Sequence, residues 1–146
     1  MNIKIIIDEI YKETVVKIFT NKYTREIENL KERLESSSSD MITAFSEDEI
    51  RLIDLRKITR FYTEDNKVYL ESGSEVFTTR LRIYELDERL PKNKFIKISR
   101  SEIVNLDFVK RLDLSFTGTI AVEFKNGKVS YVSRRNLKNF KKALGI

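Results

Sequence analysis

Hydrophobic and polar positions follow two different periods along the chain. Between residues 41 and 79, and again between 95 and 132, apolar side chains alternate with polar ones or form short runs between turn residues, which predicts β-strands. Three segments instead have apolar residues at helical spacing: Ile27, Leu30 and Leu34; Ile83, Leu86 and Leu90; Leu137, Phe140 and Leu144. The pattern predicts a mainly β protein with minor α content.

Turn and capping residues set the boundaries of these elements. Residues 46–49, 64–67 and 72–74 predict turns between strands, and Asn126-Gly127 is the strongest hairpin signal. Pro91 ends the second helix, while Ser133 and Gly145 bracket the third as N-cap and C-terminal stop. After residue 40 we therefore expect about nine short strands, one internal helix and one terminal helix.

The first 40 residues have a different organisation. Residues 3–7 and 15–19 predict two strands, and Thr24 is a plausible N-cap for the first helix. A serine-rich stretch at 36–40 predicts a flexible linker. We therefore divide the chain into a β-β-α N-terminal extension at 1–40, with dimerisation or regulation as its role, and a second domain at 41–146.

Composition narrows the classes of function. The 146 residues include no cysteine, no histidine and only 4 glycines. This removes thiol nucleophiles, triads with histidine, the usual zinc ligands and phosphate-cradling glycine loops. The apolar runs are too short for a membrane span, and we expect no secretory signal. The prediction is a binding protein in the cytoplasm, not an enzyme, with no cofactor and no metal site.

The charge is concentrated in the second half of the chain. Formal net charge is +5, but residues 1–45 hold 7 basic and 8 acidic residues. From residue 91 onward there are 13 basic residues and only 4 acidic ones. A basic half suggests a polyanionic partner, either nucleic acid or an anionic membrane surface. A solvated basic face that maintains solubility is the alternative.

Two arginines occupy an unfavourable place in the last helix. Arg134 and Arg135 fall in its first turn, where cations oppose the helix dipole at about 0.3–1 kcal/mol each. An anion docked at the free N–H groups would explain them. Alternatively, each arginine turns sideways to pair with an acidic residue from a strand.

Two other segments carry basic and hydroxyl groups. Lys97, Ser99 and Arg100 lie at a strand end, where serine and arginine suit phosphate and arginine also suits guanine. A simple turn with one solvated arginine is the alternative there. Lys67 and Tyr69 follow a turn whose acidic residues make it the weakest candidate.

Four sequence blocks, in order, carry a family resemblance. They are ITRFYTEDNK at 58–67, LRIYELDERL at 81–90, FIKISRSEIVN at 95–105 and VSRR at 132–135. From about residue 41 to the end, the chain resembles the LytTR family of bacterial DNA-binding domains. The resemblance implies an elongated stack of small antiparallel β-sheets with short helices, whose loops reach into successive major grooves. It also implies a stand-alone regulator, because 40 residues cannot hold a receiver domain.

The resemblance also implies which residues contact DNA. They lie in three groups: Lys67 with Tyr69, then Lys97, Ser99 and Arg100, then Arg134, Arg135 and Lys138. Ser99 stands where many members have histidine, and Lys67 where an aromatic residue or histidine is frequent. We expect Arg100 and Arg135 to read base edges and Lys67, Lys97, Arg134 and Lys138 to neutralise phosphates.

The implied partners are double-stranded promoter DNA with repeated sites and a second copy of the chain. The N-terminal strands could supply the homodimer by adding to a sheet edge. The resemblance further implies a small multi-pass membrane protein as a possible partner. Two other functions remain open: a protein-interaction or anti-regulator module that binds such a membrane protein, and an enzyme acting on a phosphorylated substrate.

Overall fold

A computed structural model describes residues 1–35 and 40–146. The chain divides into two units, Met1–Ser38 and Ser39–Ile146. Most of the predicted serine-rich linker, residues 36–39, lies outside the described residues. No helix in the described part of the chain is long and apolar enough to span a bilayer.

The first unit contains the predicted helix, α1 (Arg25–Glu35). Thr24 caps it, because its hydroxyl accepts a hydrogen bond from the amide of Ile27 at 3.4 Å. Tyr23 donates to the carboxylate of Glu28 beside this cap. Ile27 and Leu30 are half-buried on one face of the helix.

The two strands predicted before this helix are not formed. Residues 3–7 and 15–19 have no ladder pairing, although a turn joins them in which Tyr11 N donates to Asp8 O at 3.2 Å. Every residue from 1 to 20 is exposed. The physical reason is that two strands alone are marginally stable in water without a third strand or a packed face.

The second unit is mainly β, as predicted. The strands described in residues 40–146 are β1 (Met41–Phe45), β2 (Ile50–Asp54), β3 (Ile58–Glu64), β4 (Lys67–Ser72), β5 (Glu75–Thr79), β6 (Phe95–Ser99), β7 (Glu102–Asn105), β8 (Val109–Asp113), β9 (Ala121–Phe124) and β10 (Val129–Tyr131). The helices are α2 (Ile83–Arg89) and α3 (Arg134–Leu144). Ten strands replace the expected nine because a turn at residues 100–101 divides one predicted strand into β6 and β7.

The strands form two antiparallel sheets. The larger has the order β2-β1-β5-β4-β3-β7-β6, and the smaller has the order β10-β9-β8. Tight turns set much of this register: residues 65 and 66 have positive φ values of 50° and 62°, which places Glu64 opposite Lys67. At the predicted Asn126-Gly127 turn, Gly127 has φ 88°, a value that strongly favours glycine.

Two apolar clusters pack on opposite faces of the β6–β7 end of the larger sheet. Phe95 and Ile103 belong to the first cluster, together with Phe61, Leu70 and Leu86. The second joins the two sheets and α3, with these buried members: Ile96, Ile98, Val104, Ile120, Val122, Phe124, Val132 and Phe140. Because side chains alternate along a strand, β6 and β7 supply both clusters at once.

The last helix has the predicted termini. Ser133 precedes it with extended backbone angles, and Gly145 ends it in the left-handed conformation at φ 71°. The Ser133 hydroxyl contacts Asn136 Oδ1 at 2.8 Å and does not cap a backbone amide. The first two amides of α3, those of Arg134 and Arg135, therefore have no side-chain cap.

Candidate nucleic-acid interface

The turn after β3 and the turn after β6 lie at the same end of the larger sheet. β3 and β7 are antiparallel neighbours, with Tyr62 opposite Glu102. Just beyond this pair, Thr63 N donates to Ser101 O at 2.8 Å. The tip that carries Lys67 and the turn that carries Arg100 are thus held side by side.

The start of α3 is hydrogen-bonded to the end of β6, at this same end of the larger sheet. Ser133 N donates to Ile98 O at 2.8 Å, and Asn136 Nδ2 donates to Lys97 O at 3.4 Å. Further along the helix, Phe140 is fully buried in the second cluster, so α3 packs firmly on β6. Three segments far apart in sequence therefore meet at one end of the unit.

The β6–β7 turn is shaped by serine hydroxyls. Ser99 Oγ accepts a hydrogen bond from Ser101 N at 3.2 Å and lies 3.3 Å from Ser101 Oγ. Ser99 is half-buried, while Arg100 at the tip is exposed. The predicted site residue Ser99 thus stabilises the turn that presents Arg100, and its own hydroxyl is already engaged.

The exposed cations at this end have no acidic partners. In residues 1–35 and 40–146, no ion pair or side-chain hydrogen bond involves these five residues: Lys67, Arg100, Arg134, Arg135 and Lys138. By contrast, Arg51, Arg56, Arg60 and Arg111 each pair with a carboxylate. The sideways pairing considered for the two helix-start arginines is therefore not formed.

Lys67 and Tyr69 have different environments although they are near neighbours on β4. Lys67 is exposed at the hairpin tip opposite Glu64. Tyr69 is half-buried, and its ring stacks on Tyr62 at 5.4 Å between centroids and an interplanar angle of 18°. Tyr69 is thus fixed by packing, whereas Lys67 projects freely into solvent.

Lys97 is not brought together with the helix-start arginines. Its register partner is Ile103, a member of the first cluster, whereas its neighbours Ile96 and Ile98 face the second cluster and α3. Alternation along β6 therefore directs the half-buried Lys97 side chain to the sheet face opposite α3. Only its backbone carbonyl reaches α3, through Asn136.

Behind the interface lies an ion-pair network that the sequence reasoning missed. Arg60 pairs with Glu71 at 2.9 Å and with Glu102 at 3.1 Å, and Lys128 donates to Glu71 at 3.1 Å. Ser130 of the smaller sheet donates to Glu102 at 2.6 Å. The network therefore connects both sheets behind the interface, and one signal could have revealed part of it: the turn after Glu64 sets Arg60 opposite Glu71.

Burial and ion pairing shift the pKa values of the charged groups in this network in opposite directions. Burial by itself would raise the pKa of Glu71, but hydrogen bonds from Arg60 and Lys128 outweigh it and lower that pKa from its ordinary value of 4.5. Burial would lower the pKa of Arg60, yet its bonds to the two carboxylates raise it. Both groups are therefore held in their charged forms.

Comparisons with known proteins identify what the chain is similar to. The sequence model of the LytTr DNA-binding domain matches residues 48–145. A solved LytTr DNA-binding domain of a methyl-accepting/DNA response regulator from Bacillus cereus superposes with a TM-score of 0.71 at 26% identity, covering 73% of this chain and 98% of that one.

Two relatives come from Staphylococcus aureus, and both are named HTH-type transcriptional regulators. The protein of strain N315 is 32% identical over 126 residues, which is 86% of this chain and 84% of that protein. The protein of strain COL is 34% identical over 108 residues, 74% of this chain and 73% of that protein. Here, within residues 40–146, α2 and α3 are separated by five strands, so these two helices form no helix-turn-helix.

Proposed function

Because the chain belongs to the LytTR family of DNA-binding domains, a non-enzymatic transcription-regulator fold, we propose that it binds promoter DNA through loop and helix-start cations. It is a DNA-binding transcriptional regulator by family, and this role implies a cytoplasmic location. The observation that carries the more specific proposal is the convergence of unpaired cations from three segments at one end of the sheet.

In the proposed interface, different residues recognise base edges and neutralise backbone phosphates. Arg100 and Arg135 contact base edges, since a guanidinium can bind guanine O6 and N7 together. Lys67, Arg134, Lys138 and Lys97 neutralise phosphates, with Lys97 reaching the backbone from the other sheet face. Tyr69 and Ser99 shape the surfaces beside Lys67 and Arg100. The uncapped amides of Arg134 and Arg135 add partial positive charge for a phosphate.

Substitution of Arg135 by alanine tests this assignment. The DNA is a duplex enriched by wild-type protein from a random library, compared with its scrambled version by fluorescence anisotropy over a salt series. We expect a loss of about 1–3 kcal/mol on the selected duplex, a smaller loss on the scrambled one, and relaxed preference at one base position. Arg89→Ala is the matched control, because Arg89 is an exposed arginine at the end of α2.

Two results would contradict the assignment. Unchanged binding of the Arg135→Ala variant to the selected duplex would remove that residue from the interface. Failure of the wild-type chain to enrich any duplex would remove sequence-specific DNA binding altogether.

We also propose that the N-terminal unit pairs with a second copy of the chain. Residues 1–23 expose these large apolar side chains: Met1, Ile3, Ile5, Ile6, Ile7, Ile10, Tyr11, Val15, Val16, Ile18, Phe19 and Tyr23. Exposed apolar surface of this extent is typical of an interaction site. Two segments of strand-forming sequence from each copy would supply four strands, and a stable sheet needs at least three.

Charge favours a second copy over an anionic surface. Residues 3–19 carry 3 basic and 3 acidic residues, so the segment is neutral overall. A segment without net charge gains no electrostatic attraction to anionic lipid, whereas its exposed apolar side chains can pack against those of a second copy. Two DNA-binding units held together in this way would suit a repeated promoter site.

The dimer is tested by sedimentation velocity over a concentration series. The wild-type chain is expected to sediment as a dimer, and the Ile5→Asp/Ile7→Asp variant as a monomer. Leu114→Asp is the control, since Leu114 is 63% exposed in the other unit. A wild-type chain that stays monomeric at every concentration contradicts the proposal and favours the membrane-protein partner instead.

A further inference from the structure

Arg80 lies at the same end of the larger sheet as the proposed DNA contacts. β4 and β5 are antiparallel, and their pairing at this end finishes with Val68 opposite Thr79. The next position on each strand brings Arg80 opposite Lys67. No family block or charge run marks Arg80 in the sequence, but the turn at residues 73–74 sets the register that places it here.

The Arg80 side chain is both exposed and held in place. Its guanidinium carbon lies 4.5 Å from the centroid of the Phe45 ring. Within residues 1–35 and 40–146 it makes no ion pair, so its charge is not neutralised by a carboxylate. A stacked guanidinium keeps its N–H edge free for hydrogen bonding and loses little side-chain entropy on binding an anion.

The spacing of the strands indicates which part of DNA Arg80 reaches. From β6 to β5 there are four strand steps, which is about 19 Å at roughly 4.8 Å per step. The major groove is about 12 Å wide. If Arg100 and Arg135 enter a groove near β6, a cation four strands away lies over the flanking sugar–phosphate backbone and not over bases.

We propose that Arg80 adds a fourth segment to the interface and binds a backbone phosphate at its outer end. The inference rests on the proposed DNA-binding function. Arg80 also adds positive charge beside the hairpin tip where Glu64 and Asp65 would repel phosphate. Together with Lys67 it makes that end of the interface attractive to DNA, which explains how a tip carrying two acidic residues can lie against a polyanion.

The test compares Arg80→Ala with Arg89→Ala and wild type in the full-length chain. Binding to the selected and scrambled duplexes is measured over a salt series. We expect Arg80→Ala to weaken both complexes by about 3–10-fold at low salt and to lower the salt slope by about one, as for one lost phosphate contact. Phe45→Leu should give a smaller loss, since it keeps apolar packing but removes the ring that holds the guanidinium.

Trimmed duplexes locate the contact. Removal of flanking base pairs from one end of the selected site should weaken wild-type binding to the level of Arg80→Ala and leave the variant unchanged. Binding of Arg80→Ala that equals Arg89→Ala at every salt concentration overturns the inference. A loss confined to the selected duplex also overturns it, because that pattern indicates base reading. Absence of wild-type binding to any duplex would instead refute the proposed function.

Discussion

Replacement of Glu71 by leucine is expected to lower the free energy of unfolding of the second unit by about 2–4 kcal/mol. The Glu71 side chain is 4% exposed and accepts from both Arg60 and Lys128. Leucine fills similar space without the charge, so the loss reports the broken network and not a cavity.

The magnitude follows from the burial of each partner. Arg60 is 18% exposed, and a hydrogen bond to a charged group in such a place contributes about 1.5–3 kcal/mol. Lys128 is 57% exposed, so its bond adds at most about 1 kcal/mol. Arg60 keeps Glu102 as a second partner, which prevents the larger penalty of a fully unpaired buried cation.

A double-mutant cycle isolates the interaction energy between Arg60 and Glu71 from their other contacts. Denaturant unfolding is measured for wild type, Arg60→Leu, Glu71→Leu and the double variant. Because each single variant leaves a buried charge without one partner, we expect the double variant to be more stable than the summed losses by about 1.5–3 kcal/mol. Lys128→Met, which removes only the exposed bond, serves as the control and should cost less than about 1 kcal/mol.

A coupling energy near zero, or a loss for Glu71→Leu no larger than that for Lys128→Met, would refute this account. Either result would mean that solvent screens the Arg60–Glu71 pair despite its burial. The two apolar clusters would then hold the sheets together without electrostatic help.

Three further predictions follow from particular residues. Because the pKa of Glu71 is lower in the folded chain than its unfolded value of about 4.5, its ionised form stabilises the fold above that value, and this contribution is lost as the pH falls through the folded pKa. The free energy of unfolding, measured at a series of pH values from neutral to acidic, should therefore fall more steeply for wild type than for Glu71→Gln. Asn105→Ala should cost about 2–4 kcal/mol by chemical denaturation, since Asn105 is 1% exposed, donates to Ile58 O at 2.8 Å and accepts from Asp107 N at 3.0 Å. Gly127→Ala should lower the thermal midpoint at a cost of about 1–2 kcal/mol, because the φ of 88° strains any side chain; an unchanged midpoint would contradict this.

Local patterns predicted the second unit well because each element carries its own signal. The turn at residues 65–66 and the Asn126-Gly127 pair set hairpin registers within a few residues. Pro91, Ser133 and Gly145 likewise bracket their helices by backbone chemistry alone. Such signals do not depend on distant parts of the chain, so they can be read directly from the sequence.

The same local patterns predict two strands in the N-terminal unit that the single chain does not form. Residues 3–7 have the β-branched composition of a strand, but composition cannot state whether a partner strand exists. The Val104-Asn105 pair in the third family block shows the converse difficulty. It identifies the family, yet Asn105 is buried and bonded to the backbone, so its role is to fix the fold behind the interface.

The candidate interface was predicted in composition but not in arrangement. Charge and family blocks named the cations, but neither indicated that Lys97 would face away from α3 or that Tyr69 would be fixed by Tyr62. Those outcomes depend on strand alternation at β6 and on packing between hairpins. They follow only once the register of neighbouring strands is known.

The cations of the proposed interface share one property: within residues 1–35 and 40–146 they have no acidic partner. Arg111 belongs to the same basic half as Arg100, and Arg60 lies earlier in the chain, yet each is paired with carboxylates across the strands. Cross-strand acids thus hold one set of arginines within the fold, where they stabilise the sheets. Arg100 on its turn and Arg134 and Arg135 at the start of α3 instead lie where no cross-strand carboxylate of the described residues pairs with them. Under the proposed function, a phosphate would bind them without breaking an ion pair, even though the chain as a whole is only mildly basic.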